Sequence, residues 1–175
     1  MTGRLRFFTI LIIFFCLFSS SCTTLLTSTV IKPAVGNLQK QQDIDLVCEG
    51  AASYLLMIDS LLESDPNNRD LLLIAVQAYS GSTAALASCK APEERIIAIS
   101  VKAKLFGQRL IASYTPDTDW TGDKITSQLA NRTTADAPYL FWGAFGWLSW
   151  IQYQHGTPQS MADLIVVEKI MQCLL

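Results

Sequence analysis

The chain has 175 residues, enough for one ordinary domain with a hydrophobic core, and half of its residues are hydrophobic. Thirteen basic and fifteen acidic residues give a formal net charge of −2 at neutral pH. Because there is no basic excess to neutralise phosphates, the composition argues against a nucleic-acid partner.

The first 21 residues have the order of a secretory signal peptide. Arg4 and Arg6 precede a continuous apolar run from Phe7 to Phe18, and small residues follow immediately before Cys22. The run is shorter than the roughly 20 residues of a membrane-spanning helix, so an uncleaved anchor is the less favoured alternative. Removal of residues 1–21 would leave eleven basic and fifteen acidic residues, a net charge of −4.

Cys22 lies in a stretch that resembles a bacterial lipobox. Ser20 and Ser21 fit the small residues that precede a lipidated cysteine, although Ser19 replaces the usual aliphatic residue. Several acyl chains would hold the protein firmly, because each buried methylene contributes about 0.8 kcal/mol. Thr23, rather than an aspartate, follows the cysteine, which by analogy favours the outer membrane. We therefore expect a palmitate-bearing lipoprotein of the bacterial envelope that faces the periplasm.

The rest of the chain divides into a tether and a helical domain. Residues 22–43 are rich in Thr and Ser, contain a proline and a glycine, and end in a polar run, so they predict a lipidated tether. Residues 44–175 show no sustained alternation of apolar and polar positions and predict an all-α domain. The predicted helices cover about residues 44–63, 69–88, 91–113, 124–131, 136–153 and 160–175.

Apolar residues at helical spacing predict which faces are buried. They are Leu55, Leu56, Ile58, Leu61 and Leu62 in the first helix, Leu72, Leu73, Val76, Ala84 and Leu86 in the second, and Ile97, Val101 and Leu105 in the third. The last helix also ends in an apolar face, from Val166 to Leu175, without the polar cap that a solenoid normally needs. We expect either that the chain stops within a repeat or that a partner covers this face.

Two segments favour a tetratricopeptide-like solenoid over a four-helix bundle. The segment LLESDPNN at 61–68 is typical of the junction between helical pairs. Trp142, Phe145, Gly146 and Ser149 have the spacing W-x2-F-G-x2-S, which approximates the first-helix signature of such a repeat.

The segment FWGAFGWLSW at 141–150 contains three tryptophans, two glycines and no charge. It is too short to span a bilayer, and a helix that is apolar on all sides is usually buried. The density of tryptophan also suits a partner or ligand surface. Core packing alone and core packing combined with a contact surface both remain open. Trp142, Phe145, Trp147 and Trp150 are the candidate ligand- or partner-binding residues.

Other side chains offer no convincing chemistry. His155 is the single histidine and lacks nearby metal ligands, and the acidic loop that begins at Asp117 lacks the glutamate of a calcium-binding loop. We therefore predict no metal, no cofactor and no enzyme activity. For Cys48 and Cys89, two buried free thiols are favoured over a disulfide bond, because counting residues from the intervening turn leaves a separation of about 8 Å along the helix axes.

Three blocks of sequence, together with the lipobox-like start, resemble the TRAP transporter T-component (TatT) family. They are CEGAASYLLMIDSLLESDPNNRDLLLIAVQAYSGSTAAL at 48–86, APYLFWGAFGWLSWI at 137–151 and MADL at 161–164. The resemblance covers about residues 44–175. It implies a lipoprotein that associates with the solute-binding protein of a tripartite ATP-independent transporter and passes or presents an apolar ligand.

The same resemblance implies further helices beyond the point where this chain stops. We therefore expect the sequence to be incomplete at its C-terminus, and a channel or homotrimer that needs the later helices would not be complete in it. The alternative function is a structural scaffold lipoprotein in envelope assembly, which needs no apolar ligand.

Overall fold

The computed structural model describes residues 40–121 and 124–175, together with positions 33, 36 and 37. The predicted signal peptide, Cys22 and most of the predicted tether therefore lie outside the described residues. Residues 41–175 fold as one compact unit. Within the described part of the chain all regular structure is helical, which confirms the all-α prediction.

Six helices make up this unit, and their bounds follow the caps and breaks of the sequence. They are α1 (Ile44–Ser64), α2 (Arg69–Ser88), α3 (Glu93–Ala112), α4 (Lys124–Leu129), α5 (Ala137–Ile151) and α6 (Pro158–Gln172). The side chains of Asp43, Asn68 and Thr157 accept hydrogen bonds from first-turn amides of α1, α2 and α6. Such caps satisfy amides that have no partner within the helix. The aromatic helix ends two residues before the predicted Tyr153.

The centre of the fold is the crossing of α3 and α5, where three glycines let the two backbones touch. A Cβ atom on Gly146 would lie 2.5 Å from the carbonyl oxygen of Ala103, and one on Gly143 would lie 2.7 Å from Ile111 Cγ1. A Cβ on Gly107 would clash with the carbonyl oxygen of Gly143. Gly143 and Gly146 of α5 thus permit a close neighbour, and α3 is that neighbour.

The core is formed mainly by α2, α3 and α5, and α1 and α6 pack against this centre. The predicted stripe of α1 is correct for Leu55, Ile58 and Leu62 but wrong for Leu56, which is 66% exposed. In α2, Leu72, Val76 and Leu86 are buried as predicted, whereas Ala84 is exposed.

The predicted face of α3 is wrong. Val101 and Leu105 are 47% and 49% exposed, while the buried side of the helix carries Ser100, Ala103 and Gly107. Small residues occupy the crossing point itself because α5 approaches there to backbone contact, so large side chains would not fit. Away from that point the same helix buries larger side chains, namely Ile96, Phe106, Leu110 and Ile111. At the end of α6, Val167 and Ile170 are buried, and Leu175 is fully exposed.

A disulfide bond joins Cys48 near the start of α1 to Cys89 at the end of α2, with 6.1 Å between their Cα atoms. The expectation of two free thiols is therefore wrong. Helix α1 ends at Ser64 and α2 begins at Arg69, so the turn between them is centred later in the sequence than the residue count assumed. Side chains also lean towards the N-terminus of their own helix, which tilts these two cysteines towards each other in an antiparallel pair.

Among the described helices, α2 alone is long and apolar enough to cross a membrane, by length and composition only. Most of its apolar window is buried within the fold, as expected of the core helix of a globular domain.

Candidate functional site

The aromatic helix α5 has one side that is locked into the core and another that reaches the surface. Its buried positions are Leu140, Gly143, Ala144, Gly146, Trp147, Ser149 and Trp150. Phe141 is 42% exposed, and Trp142 and Phe145 are half-buried. The four candidate aromatic residues therefore do not form one cluster but divide between these two sides.

Trp147 belongs to the core, with only 2% of its surface exposed. Its ring packs against the ring of Trp120, at 5.3 Å between centroids. Trp120 lies in the loop before α4, and its indole N–H donates to the Thr115 hydroxyl at 3.1 Å. The indole N–H of Trp147 is buried and has no hydrogen-bond partner in the described part of the chain. The contact between Trp120 and Trp147 therefore fixes the acidic loop to α5.

Trp150 is also buried and takes part in a charged contact between three helices. The Lys104 ammonium of α3 lies 3.6 Å from the centroid of the Trp150 ring. It also forms an ion pair with Asp163 of α6, whose second carboxylate oxygen accepts from Gln159 Nε2 at 3.0 Å. Trp150 thus helps to join α3, α5 and α6 and does not present its ring to solvent.

Phe141, Trp142 and Phe145 form a cluster that we call the aromatic cluster. The rings of Phe141 and Phe145 are stacked at 6.0 Å, and Trp142 meets both edge-on, at 5.6 Å and 5.3 Å between centroids. Such offset and edge-to-face geometries are the favoured ones for aromatic pairs. Because all three residues retain solvent-accessible surface, the cluster is an apolar surface backed by a rigid helix.

A second apolar feature, which sequence reasoning missed, is a groove between α1 and α3. It encloses about 300 Å³, and its walls include Ala51, Leu55, Leu56, Tyr79, Leu86 and Ile99. At one end the Tyr79 hydroxyl donates to Asp59 at 2.7 Å, and Lys102 forms an ion pair with the same carboxylate. Burial, aided by the Asp59 hydrogen bond, raises the pKa of Tyr79 well above its usual range. No local sequence pattern predicts this groove, because its walls come from three helices.

The remaining candidate residues have structural roles. His155 contacts Glu93 at 2.9 Å between Nε2 and Oε1, and both side chains are largely exposed. In the acidic loop, Asp119 pairs with Lys124 and accepts from Thr121, which lowers the pKa of Asp119 to about 2. The residues that the structure describes contain no group of three potential metal-ligating side chains.

The described residues thus form an all-helical domain with an exposed aromatic cluster on α5. A family model described as TRAP transporter T-component matches residues 40–175, which is most of the chain. The chain therefore belongs to the TRAP transporter T-component family, as its sequence resemblance implied. Comparisons with curated proteins and with solved structures gave no match. Family membership makes this protein a component of a TRAP transporter system, which suggests a bacterial envelope location.

Proposed function

We propose that the protein is a lipid-anchored helical-repeat component that holds the solute-binding protein of a TRAP transporter near the membrane. On this proposal Cys22 carries the acyl chains, and residues 23–43 tether the domain on the periplasmic side of the envelope, with the outer membrane favoured. The short-turn helix pairs, together with the repeat-like signature in α5, support a tetratricopeptide-like arrangement. The disulfide between Cys48 and Cys89 supports an oxidising compartment such as the periplasm.

The observation that carries the proposal is the exposed position of the aromatic cluster. Phe141, Trp142 and Phe145 are large, their rings contact one another, and they stand on a helix whose other side is fixed by α3. Aromatic residues on a rigid support are typical of the centres of protein interfaces and of apolar ligand sites. We propose that Trp142 and Phe145 contact the solute-binding protein, an apolar ligand, or both in succession.

Trp147 and Trp150 have a narrower role in this proposal. Their burial means that they would touch a ligand only if it entered between α5 and its neighbours. The α1–α3 groove supports ligand handling separately, because it is concave and lined largely by apolar side chains. The protein would also assemble into a homo-oligomer, such as a trimer, whose interface would use apolar surface.

The partner test is co-purification of the solute-binding protein with the full-length chain. The double variant Trp142→Ala/Phe145→Ala is expected to weaken the complex about tenfold or more, as loss of central aromatic contacts does. The matched control is Val101→Ala/Leu105→Ala, which removes exposed apolar side chains on α3 that line neither the aromatic cluster nor the α1–α3 groove, and it should bind like the parent protein. Equal binding by both variants would reject the aromatic cluster as the contact surface.

Two further measurements separate this function from a scaffold role in envelope assembly. Native mass spectrometry of the extracted protein is expected to show a co-purified lipid-like ligand, whereas a scaffold would carry none. Radioactive palmitate is expected to label the parent protein but not the Cys22→Ser variant. Recovery of outer-membrane assembly factors without any solute-binding protein would favour the scaffold.

A further inference from the structure

A polar cleft lies where the α1–α2 turn meets the end of α3. It encloses about 420 Å³ and is lined by Asn67, Arg69, Leu72, Arg109, Ala112 and Ser113. We call it the arginine cleft. It shares no lining residue with the aromatic cluster or with the α1–α3 groove, so it is a separate feature of the surface.

Neighbouring groups orient both guanidiniums in the arginine cleft, and the Arg109 guanidinium lies 5.9 Å from the centroid of the Phe106 ring. An Arg109 Nη2 atom donates to the carbonyl oxygen of Pro66 in the turn. The Arg69 guanidinium lies over the Tyr114 ring, 4.7 Å from its centroid. A guanidinium has five N–H donors, so these contacts orient both groups and leave most of their donors for a ligand.

Acidic residues also lie near the cleft, and the Asp136 carboxylate interacts electrostatically with Arg69. Nearby carboxylates have other partners: Asp65 accepts from Asn68 and Asp70 accepts from Tyr139. Two guanidiniums that line one cleft repel each other, and a bound anion would relieve that repulsion.

The backbone around the cleft also favours an anion. Arg69 begins α2, so the positive end of that helix dipole lies at the cleft. The cleft also adjoins the end of α3, whose exposed carbonyls would repel an anion. Those of Arg109, Leu110, Ile111 and Ala112 already accept from the amides of residues 113–115. The last carbonyl groups of α3 therefore already have hydrogen-bond partners where this helix approaches the cleft.

We propose that the arginine cleft binds a phosphate monoester. Two guanidiniums match the charge of a dianion at neutral pH, and their planar forks suit the oxygen geometry of phosphate. The cleft is larger than one phosphate group, so the phosphate would lie between Arg69 and Arg109 while its organic substituent rests near Leu72 and Ala112. This site is independent of the partner surface proposed above.

Calorimetric titration of the full-length protein tests this site with three probes: inorganic phosphate, glycerol phosphate, and phosphatidylcholine vesicles with or without phosphatidate. We expect glycerol phosphate to bind, and the Arg69→Gln/Arg109→Gln variant to bind it about tenfold more weakly or worse. The matched control is Arg132→Gln, which removes a nearby charge that does not line the cleft. The Trp142→Ala/Phe145→Ala variant should bind phosphate normally, which separates this site from the aromatic cluster.

The outcomes distinguish the source of the phosphate. Binding of glycerol phosphate that depends on Arg69 and Arg109 supports a free phosphorylated molecule. Arginine-dependent binding confined to phosphatidate vesicles supports a lipid headgroup. The proposal is overturned if none of the probes binds, or if Arg132→Gln weakens binding as much as the double variant does. Circular dichroism of each variant checks that the fold is intact. The variant Arg69→Lys/Arg109→Lys should bind with intermediate affinity, because it keeps the positive charges but loses the planar, bidentate guanidinium groups.

Discussion

The ammonium of Lys104 lies 3.6 Å from the centroid of the Trp150 ring, on the side where α3 meets the aromatic helix. The same ammonium pairs with Asp163 of α6, and both side chains are mostly buried, at 17% and 11% exposure. Trp150 and Asp163 come from two of the blocks that carried the family resemblance. Lys104 therefore links the segments 137–151 and 161–164 in the fold, through a cation–π contact with Trp150 and an ion pair with Asp163.

Replacing Lys104 by Met is expected to destabilise the protein by about 3 kcal/mol, because it leaves the buried Asp163 carboxylate without its countercharge. Urea unfolding at neutral pH measures the loss. The double variant Lys104→Met/Asp163→Leu should recover much of it, since no buried charge is then unpaired. A double variant less stable than Lys104→Met alone would show that the ion pair is not the cause.

Gly146→Ala is expected to cost about 1–3 kcal/mol of unfolding free energy, because its Cβ would lie 2.5 Å from the backbone oxygen of Ala103. Neither backbone can move without separating α3 from α5. The control is Gly81→Ala in α2, where a Cβ meets nothing within 4 Å. That change should stabilise the helix by about 0.5–1 kcal/mol. Thermal unfolding of the two variants should therefore shift in opposite directions.

Reduction of the disulfide between Cys48 and Cys89 is expected to lower stability by about 4 kcal/mol, because the bond closes a loop with a sequence separation of 41. The Cys48→Ser/Cys89→Ser variant should match the reduced protein in a urea titration. Cys173→Ser serves as the control, since Cys173 is a free and exposed cysteine outside this loop. Insensitivity of the parent protein to reductant, once thiol titration proves reduction, would contradict this expectation.

Alkaline pH is expected to destabilise the fold through its buried tyrosines. Burial raises the pKa of Tyr54 to about 12 and raises that of Tyr79 further. Both values exceed the pKa of about 10 in the unfolded chain. The stabilisation is therefore complete below about pH 10 and is lost as the pH rises through the folded values. Absorbance of tyrosinate, followed together with urea unfolding, should show ionisation of these residues coupled to loss of structure.

The same two tyrosines should respond differently to loss of the hydroxyl at neutral pH. The Tyr79 hydroxyl donates to Asp59, so Tyr79→Phe should cost about 1 kcal/mol. The buried Tyr54 hydroxyl has no hydrogen-bond partner among the described residues, so Tyr54→Phe should be neutral or stabilising. Urea midpoints of the two variants provide the measurement. A similar loss in both would mean that the Tyr54 hydroxyl has a partner in solution.

The helix bounds could be predicted because their signals are local. Asn68 and Thr157 cap helices through their own side chains, and Pro158 begins α6 where its missing N–H is not needed. Family membership could also be predicted from the sequence, because the matching segments at 48–86 and 137–151 are long. These features depend on neighbours in sequence and not on which helices meet in space.

The buried face of α3 could not be read from apolar spacing. A hydrophobic stripe marks Ile97, Val101 and Leu105, yet the fold needs small residues at the crossing with α5. The disulfide was missed because a residue count ignores side-chain tilt. In the aromatic helix, Gly143 and Gly146 mark the side that a neighbouring helix approaches closely, and this is the buried side. Trp147 lies next to Gly146 and Gly143 on that side and therefore belongs to the core.

The disulfide has a mechanical consequence. A pull that reaches the domain through residues before Ile44 acts on α1 only as far as Cys48, where the covalent bond transfers it to Cys89 at the far end of α2. The rest of α1 and all of α2 lie within the loop that the disulfide closes, so both are shielded from the pull, and the tension passes on to α3.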